Sequence, residues 1–484
     1  MSRFTKSTPL FGSRQVLAAS LAATALAACA TLPERTPAAQ TATPDHFATA
    51  QSLVASPADW PQSNWWEGYN DPQLTTLISE ALANSPTLAQ AEARVRAATA
   101  GVEGARGNAG PNLSLNASAV EQKQSYNFGI PPAFVPQGYN DYGRATLNLN
   151  YEFDFWGRNR AAIAAATSQA RAAQADAAEA RLMLSTAVAS AYADLARLTA
   201  EHNIAARTLE VRAQTAQLVS HRVSAGLDNR GTQSQAEAGP PAARAQIAAI
   251  DEALAQTRNR IAALLGAGPD RGLTLTAPPQ MNLRAYGLPP NLAADLMGRR
   301  PDIVAARWRA EAATHTTDQA RASFYPNVNL VAFLGVESLG LGNLTAQGSD
   351  IGSIGPAVSL PIFDSGRLSA NLHRADAERD VAVAEYNATL TEALHQLADV
   401  AASERFLDAR LSETRAALAA NEDAYRVAHD RYDGGLSNYQ SVLIAEDAVL
   451  AQRLAVADLE SRRFALDVAL VRALGGGFTS EQVH

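Results

Sequence analysis

The stretch Thr146-Leu147-Asn148-Leu149-Asn150-Tyr151-Glu152-Phe153-Asp154-Phe155-Trp156-Gly157-Arg158 changes its period part-way along. As far as Phe153, polar and apolar side chains alternate, which describes a strand with one face of each kind. Beyond Gly157 the alternation stops. Neither Gly nor Pro occurs again before Gly226, and Leu184, Val188, Ala191, Leu195 and Leu198 are spaced four, three, four, three. That is the seam of a coiled coil. About 70 helical residues extend roughly 100 Å at 1.5 Å per residue, a length that no compact domain accommodates.

The same succession occurs twice. A shift of 215 positions superposes Leu77 on Leu292, Pro86 on Pro301, Arg94 on Arg309, Arg106 on Arg321 and Pro111-Asn112 on Pro326-Asn327. A shift of 209 superposes Gly157-Arg158 on Gly366-Arg367, and Arg222, Gly226, Leu227 and Asn229 on Arg431, Gly435, Leu436 and Asn438. Each copy opens with a helix, predicted over about 72–107 and about 290–323, the first introduced by Asp71-Pro72 as cap and first-turn proline. Two strands follow. Asn112 to Ser118 alternates in the first copy; Asn327-Val328-Asn329-Leu330 and Val358-Ser359-Leu360-Pro361-Ile362-Phe363 are the counterparts in the second. Then come long helices (about 157–226 and about 366–433), the second carrying Leu390, Leu394, Leu397 and Ala401 on its seam. Glycine turns at Gly226-Leu227 and Gly435-Leu436 lead into returning helices, about 230–266 and about 436–474. Gly239-Pro240-Pro241 is expected to kink or unwind the first of these; no role for it follows from the sequence.

Other features bound what the chain does. Of its 484 residues 40 are basic, Lys6 and Lys123 being the only lysines, and the net charge is -8. Without a basic cluster beyond the N-terminus, a nucleic-acid partner is excluded from the reading. Arg3, Lys6 and Arg14 precede an apolar run, Val16 to Ala28, that is too short to span a bilayer and ends in Leu26-Ala27-Ala28-Cys29. This is the pattern of a signal peptide. It resembles the bacterial lipoprotein signal, which would make Cys29 the site of lipidation; the alternative is an ordinary signal peptide with Cys29 incidental. No later run is long enough for a transmembrane helix, so membrane insertion requires a closed β-barrel.

Each chain offers about four strands of bilayer length, too few to close a barrel alone. Three chains with two copies each would supply twelve. Tyr126, Phe128, Tyr139, Tyr142, Phe155, Trp156, Phe324 and Tyr325 flank the strands, either as an interfacial girdle or as the packing of a soluble β-domain. Enzymatic signatures are missing. The eight histidines, among them His315, His373, His395 and His429, have no metal-ligand spacing, and Gly475-Gly476-Gly477 reads as a helix stop. No enzyme activity, metal or cofactor is expected.

Taken in order, Tyr151-Glu152-Phe153-Asp154-Phe155-Trp156-Gly157-Arg158, Arg299-Arg300-Pro301-Asp302-Ile303, Phe324-Tyr325-Pro326-Asn327-Val328 and Leu360-Pro361-Ile362-Phe363-Asp364-Ser365-Gly366-Arg367 resemble the motifs of the TolC-like outer-membrane factors, in their lipoprotein branch, the NodT family. The resemblance implies a mostly α fold with a membrane β-barrel portion: a trimeric, twelve-stranded barrel continuing into a long periplasmic α-helical barrel. The expected organisation is a signal peptide (1–28), an N-terminal anchor and equatorial segment (29–71) and a first repeat (72–266, β-hairpin about 111–154). An equatorial linker (267–289), a second repeat (290–474, β-hairpin about 326–363) and a C-terminal tail (475–484) complete it. Asp154, Gly157, Arg158, Asp364, Gly366 and Arg367 are read as structural residues, the aspartates capping the helices and the glycines permitting the bend.

The resemblance further implies an outer-membrane, lipid-anchored efflux duct for small molecules, a homotrimer that works with a periplasmic adaptor and an inner-membrane pump of the resistance-nodulation-division type. The adaptor would dock at the turns around Gly226, Leu227, Gly435 and Leu436. The pump selects the cargo, so the duct's sequence carries little record of it. Two alternatives are a duct for type I protein secretion and a lipid-anchored coiled-coil scaffold without a pore. TolC-like channels often narrow at aspartates after the second turn, but those positions are Ser441 and Ile444 here, and Thr232 and Gln235 in the first copy. Asp228, Asp433, Glu237, Glu446 and Asp447 lie close by, either as aperture charge or as ordinary exposed helix residues.

Overall fold

The computed structural model describes residues 39–43, 46–49, 51–127, 129–279, 283, 286–290 and 292–482. Cys29 and Phe128 lie outside them. The elements are α1 (Pro72–Asn84), α2 (Pro86–Ala109), β1 (Asn112–Gln122), β2 (Asn140–Glu152), α3 (Arg158–Ser224), α4 (Arg230–Leu264) and the short α5 (Asp270–Leu273). The second copy supplies α6 (Leu292–Arg299), α7 (Pro301–Ala322), β3 (Asn327–Leu339), β4 (Asp350–Ser359), α8 (Arg367–Asp433) and α9 (Tyr439–Ala473). Helices α3 and α8 are each 67 residues long. Among the described residues no helix is long and apolar enough to cross a membrane.

Three expectations are corrected. The opening helix of each copy is two helices, because a proline disfavours helical backbone in the residue before it. Ser85, ahead of Pro86, is extended with ψ 124°, and the second copy breaks likewise ahead of Pro301. Residues 360–363 do not continue a strand. β4 ends at Ser359, short of Pro361, which has no N–H to give a ladder. Finally, α4 passes through Gly239-Pro240-Pro241 as unbroken helix.

The chain forms two compact units. One, built from residues 96–170 and 307–385 with 39–40, contains an antiparallel sheet in the order β1-β2-β3-β4. Its register sorts the side chains by face. Leu113, Leu149, Ala332 and Ile354 share one row, and Leu115, Leu147, Leu334 and Gly352 another. On the opposite face Ser114 and Asn148 share a row with Phe333 and Ser353, and Arg144 pairs with Glu337 at 3.6 Å. Leu115, Leu334 and Ile354 are exposed although apolar. Both β1 and β4 have a strand on one side only. Of the aromatics that flank the strands, Phe324 is buried with Ala320, Leu372 and Ala375.

The other unit comprises residues 41–95, 171–306 and 386–484. The coiled-coil seams are buried, with Val188, Leu390 and Leu397 fully so. Asp71 caps α1 by accepting from the N–H groups of Gln73 and Leu74, and accepts the Tyr192 hydroxyl hydrogen bond at 2.7 Å. Arg300, itself buried, donates to Gln396 of α8, to the Ala473 carbonyl that ends α9 and to Asp302. Beside it Gly475 has φ +87°, and a Cβ there would lie 2.0 Å from the Arg299 carbonyl oxygen. Gly475→Ala therefore combines a disfavoured backbone with an overlap. It is expected to cost about 2–4 kcal/mol, read as a lowered melting midpoint by circular dichroism.

Candidate aperture and helix starts

At each strand-to-helix step an aspartate closes the first turn. Asp154 accepts hydrogen bonds from the backbone N–H groups of Asn159 (3.1 Å) and Arg160 (2.9 Å), and from the Arg160 guanidinium. Burial alone would raise its pKa, but the hydrogen bonds from Arg160 and Asn159 outweigh it and hold the carboxyl below its usual value. Asp364 accepts from the N–H groups of Gly366 and Leu368. The bend is made in left-handed backbone, at Gly157 (φ +78°) in the first copy and at Ser365 (φ +56°) and Gly366 (φ +84°) in the second. Only glycine adopts such angles without steric cost. Arg158 and Arg367 are the first helical residues of α3 and α8.

The turns Gly226-Leu227 and Gly435-Leu436 have glycine φ values of +74° and +75°, and both leucines are exposed. Beneath them Val219, Ala236, Tyr432, Tyr439 and Val442 form a buried cluster that draws on both copies. Asp228 is not a free charge. It accepts from Arg222 Nε at 2.9 Å and from the Tyr432 hydroxyl at 2.8 Å. Arg222 also lies 4.6 Å from the Tyr432 ring centroid and donates to the Asp433 carbonyl. Burial works to raise the Asp228 pKa, and the bonds from Arg222 and Tyr432 lower it on balance. Burial and Asp228 together raise that of Tyr432. Asp433 contributes its backbone; its side chain is exposed.

Ser441 is engaged in capping: its N–H and hydroxyl both donate to Asn438 Oδ1. Ile444 is exposed, Thr232 is tied by its N–H to Asn229, and Glu237 accepts from Gln233. A second link, which sequence reasoning missed, joins the copies. Arg212 of α3 bonds Glu446 (3.0 Å) and Asp447 (3.0 Å) of α9. Gly239 makes room for it, since a Cβ there would sit 3.3 Å from Arg212 Cδ. The Gly-Pro-Pro segment thus begins with the seat of an arginine stem. Burial pushes the Glu446 carboxyl up despite Arg212. Arg222 was visible in the sequence only as a repeated position; its partner Tyr432 lies 210 residues away, and no local pattern announces such a pair.

The sequence matches the family described as Outer membrane efflux protein over residues 77–267 and 292–476. It is 30% identical over 492 residues to the multidrug resistance outer membrane protein MdtP of Escherichia coli K12, covering 97% of this chain and 98% of MdtP. It is 37% identical over 374 residues to the fusaric acid resistance protein FusA of Burkholderia cepacia, covering 75% of this chain and 68% of FusA. The crystal structure of the outer membrane protein VceC from Vibrio cholerae superposes with a TM-score of 0.82 at 45% identity, covering 87% of this chain and all of that one. The chain belongs to the outer membrane efflux protein family, its fold is that of the TolC-like channels, and it is an outer-membrane efflux channel.

Removing the hydroxyl that Tyr432 gives to Asp228 leaves a half-buried carboxylate short of a donor. Tyr432→Phe and Asp228→Asn are each expected to raise conductance in planar bilayers; equal conductance of all three proteins would dismiss the link. A carboxyl with a depressed folded pKa contributes stability that is complete above its unfolded value. That contribution is lost as pH falls through the folded one. Conductance of the unmodified channel is therefore expected to rise below about pH 4, and this rise to be absent in Asp228→Asn.

Proposed function

We propose that the protein is the exit duct of a tripartite efflux system: a homotrimer whose three four-stranded sheets close one twelve-stranded barrel, continued by a periplasmic helical barrel. The observation that carries this reading is the sheet itself. It has an apolar face left exposed and two unpaired outer strands, and in lipid every backbone N–H and C=O must find a partner within protein. Pairing β1 of one chain with β4 of the next satisfies both edges and leaves none.

In this reading Cys29 carries the lipid anchor, while residues 29–71, 267–289 and 475–484 form the equatorial belt. Asp154, Gly157, Arg158, Asp364, Gly366 and Arg367 set the step from strand to helix. The turns at Gly226, Leu227, Gly435 and Leu436 meet a periplasmic adaptor, and the adaptor joins the duct to a resistance-nodulation-division pump in the inner membrane. Asp228 works through Arg222 and Tyr432 to hold the two copies together beneath the turns. Asp433 takes part through its carbonyl. Ser441 donates to the cap residue Asn438 and Ile444 is apolar surface, so neither supplies charge to an aperture. The cargo is small toxic molecules, in keeping with the names of MdtP and FusA, which favours drug efflux over protein secretion. No catalysis is assigned to it.

Mass determination and single-channel recording on one preparation test this. A trimer giving discrete conductance steps is expected; a monomer that does not insert would overturn the shared barrel. Cys29→Ser is expected to lose the mass of the lipid while keeping the trimer and its conductance. An unchanged mass would remove Cys29 as the anchor.

A further inference from the structure

A cavity of about 480 Å³ lies at the foot of the sheet, bounded by the end of β2, the β2–α3 step, α7 and the start of α8. Two guanidinium groups that line it are poorly paired. Arg158 reaches Glu152 only at 3.9 Å and Arg367 reaches Asp364 only at 4.0 Å, beyond hydrogen-bond length, and both side chains are exposed, Arg367 the more so. The neighbouring aspartates are already engaged, Asp154 and Asp364 being occupied by the backbone N–H groups they cap. The N–H groups of Asn159, Arg160, Gly366 and Leu368 are thus spent on the aspartates, and the uncommitted positive charge is that of the two arginines.

Acceptors line the cavity too. Glu152 contributes a carboxylate, and Asn327 Oδ1 is buried with no hydrogen-bond partner, a condition that disfavours the empty cavity. A wall is formed by Trp156 stacked on Tyr325, with centroids 4.7 Å apart and planes at 14°, and held by the Trp156 indole N–H donating to the Pro326 carbonyl at 2.8 Å.

Depth decides what such a cavity meets. Leu147, Leu149, Tyr151 and Phe153 alternate onto the apolar face of β2, and the Phe153 N–H still bonds the Val328 carbonyl at 2.9 Å. Phe153 lines the cavity and stacks on Phe155, and both rings are exposed. The charged pocket therefore sits where the apolar face of the sheet ends, and it opens beside that face. In a bilayer that is the level of the phosphates of the periplasmic leaflet.

We propose that this cavity binds the headgroup of a glycerophospholipid of the periplasmic leaflet. Arg158 and Arg367 take the phosphate diester, Glu152 and Asn327 Oδ1 take a headgroup ammonium, and the acyl chains run up past Phe153 and Phe155. Arginine suits a phosphate because its planar donors match two oxygens at once. The internal repeat sets the stoichiometry. Tyr325 superposes on Gly110, and where the first copy has Phe155-Trp156 the second has Ser365 alone. The aromatic wall thus belongs to one of the two strand-to-helix steps, which gives one lipid per chain and not two. The inference rests on the barrel reading above.

The experiment is native mass spectrometry of the detergent-purified trimer, loaded from vesicles of phosphatidylethanolamine and, separately, of phosphatidylglycerol. Insertion is read by conductance on the same protein. The unmodified protein is expected to retain one phosphatidylethanolamine per chain in preference to phosphatidylglycerol. Arg158→Gln/Arg367→Gln is expected to lose it by at least about tenfold, since the charge-assisted bonds to the phosphate are removed. Glu152→Gln is expected to abolish the preference between the two lipids. Equal retention by the double variant overturns the proposal. So does displacement of lipid from the unmodified protein by excess inorganic phosphate, which would make the cavity a site for soluble anions; this arm needs no variant to fold. Failure of the unmodified protein to insert would count against the barrel instead.

Discussion

Backbone hydrogen bonding is the constraint from which the rest of this channel follows. A strand in hydrocarbon must pair on both sides, whereas a helix in water pairs within itself. The chain crosses from one regime to the other at Asp154 and again at Asp364. At each point the first-turn N–H groups that a new helix leaves unpaired are taken by the aspartate, and a left-handed residue turns the backbone. A step built this way lets a 13-residue strand hand over to a 67-residue helix with little intervening loop.

The same economy of polar groups governs the region under the glycine turns. Arg222, Asp228 and Tyr432 satisfy one another across the two copies, and Arg212 does the same for Glu446 and Asp447. Charges that look like aperture candidates in the sequence are largely spent inside the protomer. Separating the copies would leave these groups unpaired, which ties the packing of the two hairpins to one another. The elements nearest the membrane carry the opposite feature: Arg158 and Arg367 are left with donors unspent at the cavity beneath the sheet.

Much of the fold was legible in the sequence because it repeats and because its periods are pure. Thr146 to Phe153 alternates without interruption, and the seam from Leu184 to Leu198 holds its four-three spacing; each pattern allows one local structure. Pro86, Pro301 and Pro361 are equally visible, but their effect depends on the neighbouring backbone: the first two divide each opening helix, and Pro361 lies beyond the end of β4. The Gly-Pro-Pro segment has the opposite outcome and stays helical. A missing N–H need not break a helix whose other faces are packed, and Gly239 turned out to be explained by a side chain from α3.

By itself, then, the sequence determined the two copies, their strands and long helices and the glycine turns, since these follow from local periodicity and steric limits within a few residues; the class of channel was implied by the resemblance of its motifs to a known family. Only the tertiary structure decided which charges are free. Asp228 finds Tyr432, Arg212 finds Glu446, and the stack of Trp156 on Tyr325 closes a cavity beneath the sheet. These pairings join residues about 170 to 230 positions apart, and they exist because packing one copy against the other removes water from polar groups that must then satisfy each other.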